Sequence, residues 1–430
     1  MRRPIVRCRM RLWRRTERMT HTLPTRRTLT PARGKIAAVA TLAVGLLVAL
    51  AGGTIATSSS DEQTSQFPPD CRFVKPEIKT PVVNIRDFGA VGDGFREVAD
   101  ALDRAIASLP SGGTVHFPPG IYAHNAVLEI RAPNIILSGT DATLLATNPD
   151  QAAVKITGTN SGIRDLTISA NPADERGERD EHSGIIIAGR SNTVISTSVS
   201  RTKSAGIFVS GGQNYVIACN TIFDTLADGI HSTDGASGGR VIGNRVRNSG
   251  DDGIALVSYR GRAPASQIVI EDNDVAQIRW GRGISVIGST GAVIRRNRVS
   301  AIAMAAGIIV AREASFNTPG AREVLIEDNT IGDIQQSLQP APGRRRTGHA
   351  AIEINSDGSS EALAVSDVKI LRNRVSGSGY DGIRLLGNID RISIDSNMLD
   401  SIAGRPIRNI SGTQVTCQAN RASGAASRCD

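Results

Sequence analysis

The apolar positions of this chain recur in a fixed phrase. An apolar residue is followed three positions later by asparagine, and two positions after that by a second apolar residue. The asparagines are Asn220, Asn244, Asn273, Asn297, Asn329, Asn373 and Asn397. Ile217, Val241, Ile270, Ile294, Ile326, Ile370 and Ile394 precede them, and Ile222, Val246, Val275, Val299, Ile331, Val375 and Leu399 follow. A second phrase, glycine then isoleucine, usually comes nine or ten residues later, at Gly184, Gly206, Gly229, Gly253, Gly283, Gly307 and Gly382, with Ala351 in the same role once. After each of these the apolar residues alternate, as in Ile207/Val209, Ile254/Leu256, Ile308/Val310 and Ile383/Leu385. Alternation by two places one face of a strand inward. Self-similarity at about 22–24 residues predicts a solenoid of short strands. One coil cannot bury its own apolar face, but stacked coils share a continuous core. The asparagines then align at a turn, where their amides can bond from coil to coil and satisfy the bent backbone.

The start of the repeat reads differently. Val82 to Gly94 gives a strand and glycine-rich turns. Val98, Ala101, Leu102, Ala105, Ile106 and Leu109 then lie on one face of a helix. Gly112-Gly113 ends it, and Thr114–Phe117 resumes a strand. A short amphipathic helix here serves as a cap for the open end of the stack. Elsewhere the beat is interrupted at Asn171–His182, Tyr259–Ser266, Ala311–Arg322, Asp333–Gly348 and Ser356–Ala364. Such insertions are loops that gather on a binding face.

Composition changes the picture at one end. The formal charge is +9, yet residues 1–35 hold twelve bases and one acid, Glu17. The rest is near neutral, which argues against a nucleic-acid partner. The basic segment, the apolar run Ile36–Ala51 and the small residues after it have the layout of an export signal over 1–56. Thr25-Arg26-Arg27-Thr28-Leu29 resembles a twin-arginine signal. Residues 57–80 read as a linker, 81–416 as the repeat domain with its cap at 81–122, and 417–430 as a tail. An exported protein without its signal has no membrane partner and meets an oxidising compartment, so Cys417 and Cys429 are expected to staple the C-terminus. Cys219 reads as a small buried hydrophobe.

Candidate chemistry sits just before the repeat glycines. That column reads Ser183, Ala205, Asp228, Asp252, Arg282, Ala306, Ala350 and Asp381. Coils stack about 4.8 Å apart, so Asp228 and Asp252 become neighbours, with Asp251 beside them and Arg282 next. Closely spaced carboxylates cannot all ionise cheaply. A protonated acid beside an ionised one is what glycosidic hydrolysis requires. His231 adds a titratable group on the outer face, and Ser232 breaks the inward apolar series. Trp280 and Tyr259 flank the cluster as rings on which a sugar can stack. Against this stands a plainer reading: Asp-Gly is an ordinary turn former, Asp381-Gly382-Ile383 repeats the phrase without a second acid, and acid, acid, arginine is a self-neutralising ladder. No cysteine–histidine cluster has metal spacing.

This organisation resembles the right-handed parallel β-helix superfamily of pectate lyases, polygalacturonases and alginate epimerases. The segment Asn84–Tyr122, with Asp87-Phe88-Gly89-Ala90-Val91-Gly92-Asp93-Gly94 and Gly113-Thr114-Val115-His116-Phe117-Pro118-Pro119-Gly120, resembles the N-terminal cap of pectate-lyase-like proteins. With its leader, the chain is also similar to exported repetitive β-helix proteins of bacteria. The fold implied is all-β, a right-handed parallel β-helix with a short N-terminal capping helix. Gly250-Asp251-Asp252-Gly253-Ile254-Ala255 resembles the paired-aspartate motif of polygalacturonases, and Asp228-Gly229-Ile230 stands at that family's upstream aspartate. The resemblance makes Asp251 the acid, Asp228 and Asp252 the holders of water, and Arg312 a substrate-binding base. It departs at Gly281-Arg282-Gly283, where the family carries histidine, and at Leu226-Ala227-Asp228, where it carries Asn-Thr-Asp. A lyase or C5-epimerase on a uronic-acid polymer is the rival implication, with Arg282 abstracting a proton and the aspartates holding Ca²⁺. A third is a non-catalytic scaffold that binds carbohydrate. All three expect an acidic polysaccharide as partner.

Overall fold

The computed structural model describes residues 78–360 and 363–429. The expected signal at 1–56 and the linker up to residue 77 lie outside the described residues. The repeats form a right-handed parallel β-helix with three sheets running its length. Each complete coil gives one strand to each sheet, and among the described residues the sheets hold 13, 14 and 11 strands, because the end coils give none to the third. Among the described residues no helix is long and apolar enough to cross a membrane.

The two apolar phrases become stacks. In the third sheet Ile207, Ile230, Ile254, Ile284, Ile308, Ile352, Ile383 and Ile407 pair in register from coil to coil. All are buried inside the solenoid. The apolar residues around the asparagines build the inner faces of the other two sheets, as in Val241↔Ile270↔Ile294 and Val246↔Val275↔Val299. Between those two sheets the backbone bends through a left-handed residue just before each asparagine, with φ between 51° and 62° at Cys219, Gly243, Asp272, Arg296, Asp328, Arg372, Ser396 and Ala419. That conformation costs a non-glycine residue about 1–2 kcal/mol. The asparagine ladder offsets it. Each Oδ1 accepts both the N–H and the Nδ2 of the preceding asparagine, and each Nδ2 also reaches a main-chain carbonyl. The ladder extends to an eighth rung, Asn420.

The glycines have a different cause from the one their turn-forming reputation suggests. Gly229 and Gly253 are not left-handed. A Cβ at Gly229 would stand 2.4 Å from Val246 and 2.6 Å from the carbonyl of Gly253, and one at Gly253 would meet Val275 at 2.3 Å. Glycine is required by close stacking of the coils.

The N-terminal end is closed by helix α1, Ala99–Ala107, which buries Ala101, Leu102 and Ala105. At the other end the stack continues beyond residue 416. Thr416–Gln418 joins the first sheet and Arg421–Ala422 the second, so the expected tail is the last coil. Cys417 and Cys429 form a disulfide across it, with Cα atoms 6.1 Å apart. Cys219 corrects its reading as a buried hydrophobe: it is half-buried at a left-handed bend and takes part in a disulfide.

Candidate functional site

The aspartates that precede the repeat glycines reach along the stack. Asp228 Oδ1 accepts the backbone N–H of Asp252 at 2.9 Å. Asp252 Oδ1 accepts the N–H of Arg282 at 2.7 Å, and Asp381 Oδ1 accepts that of Arg405 at 2.8 Å. In this column each aspartate satisfies the backbone of the next coil. Asp228 and Asp252 are buried. Their remaining oxygens face the outer surface of the third sheet. Asp228 Oδ2 lies 2.7 Å from His231 Nδ1, and the His231 ring stacks on Phe208 at 5.2 Å. Asp252 Oδ2 accepts from Ser285 Oγ at 2.6 Å and Arg282 Nη1 at 3.2 Å.

Asp251 stands outside that column. Its side chain is 27% exposed and is held by Arg176, from the insertion at 171–182. One carboxylate oxygen from each of Asp228, Asp251 and Asp252 lies within 4.8 Å of the other two. Partial burial works against the charge of Arg176, yet Asp251, Asp228 and Asp252 together hold its pKa above the ordinary value. Arg282 is half-buried, and Asp252, Glu313 and Asp251 raise its pKa in the same way. It bridges Asp252 and Glu313. Burial pushes the Glu313 carboxyl up, against the pull of Arg282. Beyond it His349 is pushed down to about 4 by burial and by the charges of Arg282 and Arg384.

The rim is built by two insertions. Arg344, from the insertion at 333–348, lies 3.8 Å over the Trp280 ring, and Arg176 lies 6.0 Å from the same ring. Trp280 therefore does adjoin the cluster. Tyr259 is half-buried past the far end of the strand Ile254–Val257, with Asp252 before its near end. Arg312, expected as a substrate-binding base, pairs with Asp357 and braces the carbonyl of Thr318. Its neighbour Glu313 is the residue that meets Arg282. Ser232 also has a local cause, because its hydroxyl is the 2.8 Å partner of the fully buried Tyr215 hydroxyl.

Arg176, Ser285, Glu313 and His349 were not singled out by sequence reasoning, whereas Arg344 opens the basic run Arg344-Arg345-Arg346, which by composition reads as a loop able to contact an anionic polymer. For Ser285 a signal exists, since it follows Ile284 and so occupies the outward column of His231 and Ala255. Arg176 lies where the period is broken and carries no such signal.

Three carboxylates so close suit a cation in number, but most of their oxygens already receive a donor from the chain. Asp252 receives Arg282 and Ser285, Asp228 receives a backbone N–H and His231, and Asp251 receives Arg176. Ca²⁺ needs six to eight oxygens, and this set does not fit it as arranged. A groove lined by Thr221, Phe223, Arg247 and Arg279 runs along the second sheet instead and holds one carboxylate, Asp224.

Known proteins match this chain in part. A mannuronan C5-epimerase of Azotobacter vinelandii is 36% identical over 111 residues, 21% of this chain and 13% of that protein. Rhamnogalacturonase A of Aspergillus niger is 36% identical over 64 residues, 14% of either chain. The chain spans less than a quarter of the length of the curated relatives it matches. Among solved structures, the catalytic unit of a GH87 α-1,3-glucanase from Streptomyces thermodiastaticus has the same fold, with a TM-score of 0.67 at 21% identity, covering 81% of this chain and 64% of that one. A family model matches residues 82–308, more than half of the sequence. The chain belongs to the rhamnogalacturonase A/epimerase, pectate lyase-like family.

Proposed function

We propose that this protein is exported and hydrolyses glycosidic bonds of a polysaccharide, expected to be acidic, lying along the outer face of the third sheet. The observation that carries the reading is the gathering of Asp228, Asp251 and Asp252 within 4.8 Å. Asp251 gives no oxygen to the neighbouring backbone and faces solvent, so it protonates the leaving glycosidic oxygen. Asp228 and Asp252 hold the water that attacks the anomeric carbon, and Asp228 takes its proton as the C–O bond breaks. The relatives' names, an epimerase of mannuronan and a rhamnogalacturonase, support a polysaccharide as the substrate class.

Against the rival in which Arg282 abstracts a proton stands the pairing of that guanidinium. A guanidinium clamped between Asp252 and Glu313, with its pKa raised, stays charged. A binding role without turnover has one observation in its favour: each aspartate already has a hydrogen-bonding partner from its own chain.

Screening polygalacturonate, rhamnogalacturonan, alginate and α-1,3-glucan separates these readings. New reducing ends without new C=C absorbance mark hydrolysis, and both signals together mark elimination. Epimerisation leaves both silent and is read by proton NMR. Hydrolysis lost in Asp251→Asn supports the reading. A protein that binds polymer but turns over none, with binding unchanged in Asp251→Asn/Asp252→Asn, sinks it.

A further inference from the structure

Two insertions far apart in sequence end on the same indole. The 171–182 loop brings Arg176 to Asp251 and to within 6.0 Å of the Trp280 ring. The 333–348 loop brings Arg344 to 3.8 Å from that ring. Neither position is accidental for its loop. The first is fastened where Gly177 N–H reaches the Lys203 carbonyl at 2.7 Å and Arg179 Nε reaches His182 Nε2 at 2.9 Å. Gly177 is itself required, because a Cβ there would overlap the His182 ring at 1.8 Å. The second loop is tied to the residue before Trp280 by Ala341 N–H to the Arg279 carbonyl at 3.0 Å, and its turn closes with Arg344 N–H on the Ala341 carbonyl at 3.0 Å.

Stability does not account for these contacts. A part-exposed arginine–aspartate pair contributes about 0–1 kcal/mol, and an exposed cation over an indole about 0.5–1 kcal/mol. The charge pattern has a different consequence. Asp228, Asp251 and Asp252 repel any incoming carboxylate, and Arg282 is already committed to Asp252 and Glu313. Among the described residues at the acidic cluster, Arg176 is the cation that is a third exposed. Arg344 covers the face on which a sugar ring would stack.

Resting on the polysaccharide reading, we propose that Arg176 and Arg344 determine specificity by receiving the carboxylate of a uronate residue seated on Trp280. In the ligand-free protein the two guanidiniums hold the places of the sugar and its charge. On binding, Arg176 exchanges Asp251 for the uronate carboxylate, which releases Asp251 toward the glycosidic oxygen. Arg344 moves from the ring face to its edge and gives the second contact. A neutral sugar offers Arg176 no replacement for Asp251 and leaves the pair closed.

The experiment is calorimetric titration of the full protein, and of Arg176→Gln, Arg344→Gln and Asp251→Asn, with oligogalacturonate, oligoalginate and a neutral α-1,3-gluco-oligosaccharide. The wild type binds one of the two uronates at least 10-fold more tightly than the neutral sugar. Each arginine variant loses at least 10-fold in that affinity and keeps its affinity for the neutral sugar. Asp251→Asn binds the uronate more tightly, because Arg176 no longer has an internal anion to leave. Circular dichroism melts verify that the variants fold. Unchanged uronate affinity in both arginine variants overturns the proposal, as does wild-type preference for the neutral sugar or no uronate binding. If the wild type instead cleaves the neutral glucan, the polysaccharide reading survives while this inference fails.

Discussion

Replacing Asn273 by alanine removes one rung from the middle of the asparagine ladder. Its Nδ2 donates to the Val241 carbonyl and Asn297 Oδ1, and its Oδ1 accepts from Asn244 N–H and Nδ2, all at 2.9 Å. Two of the affected groups keep a partner. Asn297 Oδ1 retains Asn273 N–H, and Asn244 Nδ2 retains the Ile217 carbonyl. The Asn244 N–H has no other acceptor among the described hydrogen bonds. An orphaned buried donor costs about 1–3 kcal/mol, and each lost bond about 1 kcal/mol net. Asn273 is fully buried, so water does not refill the site without displacing its neighbours. The orphaned donor and the three other lost bonds together give a destabilisation of about 4–6 kcal/mol. Urea unfolding followed by circular dichroism measures it as a shift in midpoint. Asn420→Ala is the control: at the last rung it loosens one terminal coil, seen as faster amide exchange there, with little change in the global midpoint. A shift below about 1 kcal/mol for Asn273→Ala would refute the view that the ladder holds the bend between the first two sheets.

Other outcomes follow from the site. Asp251→Asn is expected to lower hydrolysis by about 10²–10⁴-fold, whereas Asp381→Asn, which keeps the acceptor for Arg405 N–H, leaves it unchanged; initial rates on the responsive polymer compare them. Arg282→Ala strands Asp252 and Glu313 without their cation and costs about 3–5 kcal/mol, while Arg282→Met with Glu313→Leu costs less, a ranking that thermal melts would reverse if the bridge were incidental. His349 is held neutral in the fold with a pKa near 4 and takes up a proton near pH 6.5 when unfolded. Its contribution is therefore complete above pH 6.5 and is lost as pH falls toward 4, by up to about 3 kcal/mol. His349→Gln flattens that part of the stability–pH curve, and an unchanged acid limb counts against the assignment.

The period alone determined most of this molecule. Asparagine every coil, with apolar residues three before and two after, specifies a bend flanked by two strands, and glycine–isoleucine specifies a third. Local pattern suffices here because each coil repeats the same packing problem and its neighbours solve it identically. For the same reason the period aligned Asp228, Asp252 and Arg282 over a separation of 54 residues. The eighth rung at Asn420 obeys the rule with Cys417 and Ala422 as its apolar pair, residues too small or too ambiguous to be recognised as such beforehand. Where the beat breaks, the sequence carried no ruler. That Arg176 reaches Asp251 75 residues away, that Arg344 lies on Trp280, and that Arg312 pairs with Asp357 while Glu313 meets Arg282 were decided by loop paths. Loop paths depend on contacts between segments with no common repeat, and so on the tertiary structure alone. The same holds for Ser232, whose polarity answers a buried tyrosine 17 residues away, and for the repeat glycines, whose need is space between coils, a quantity that exists only once the coils are stacked.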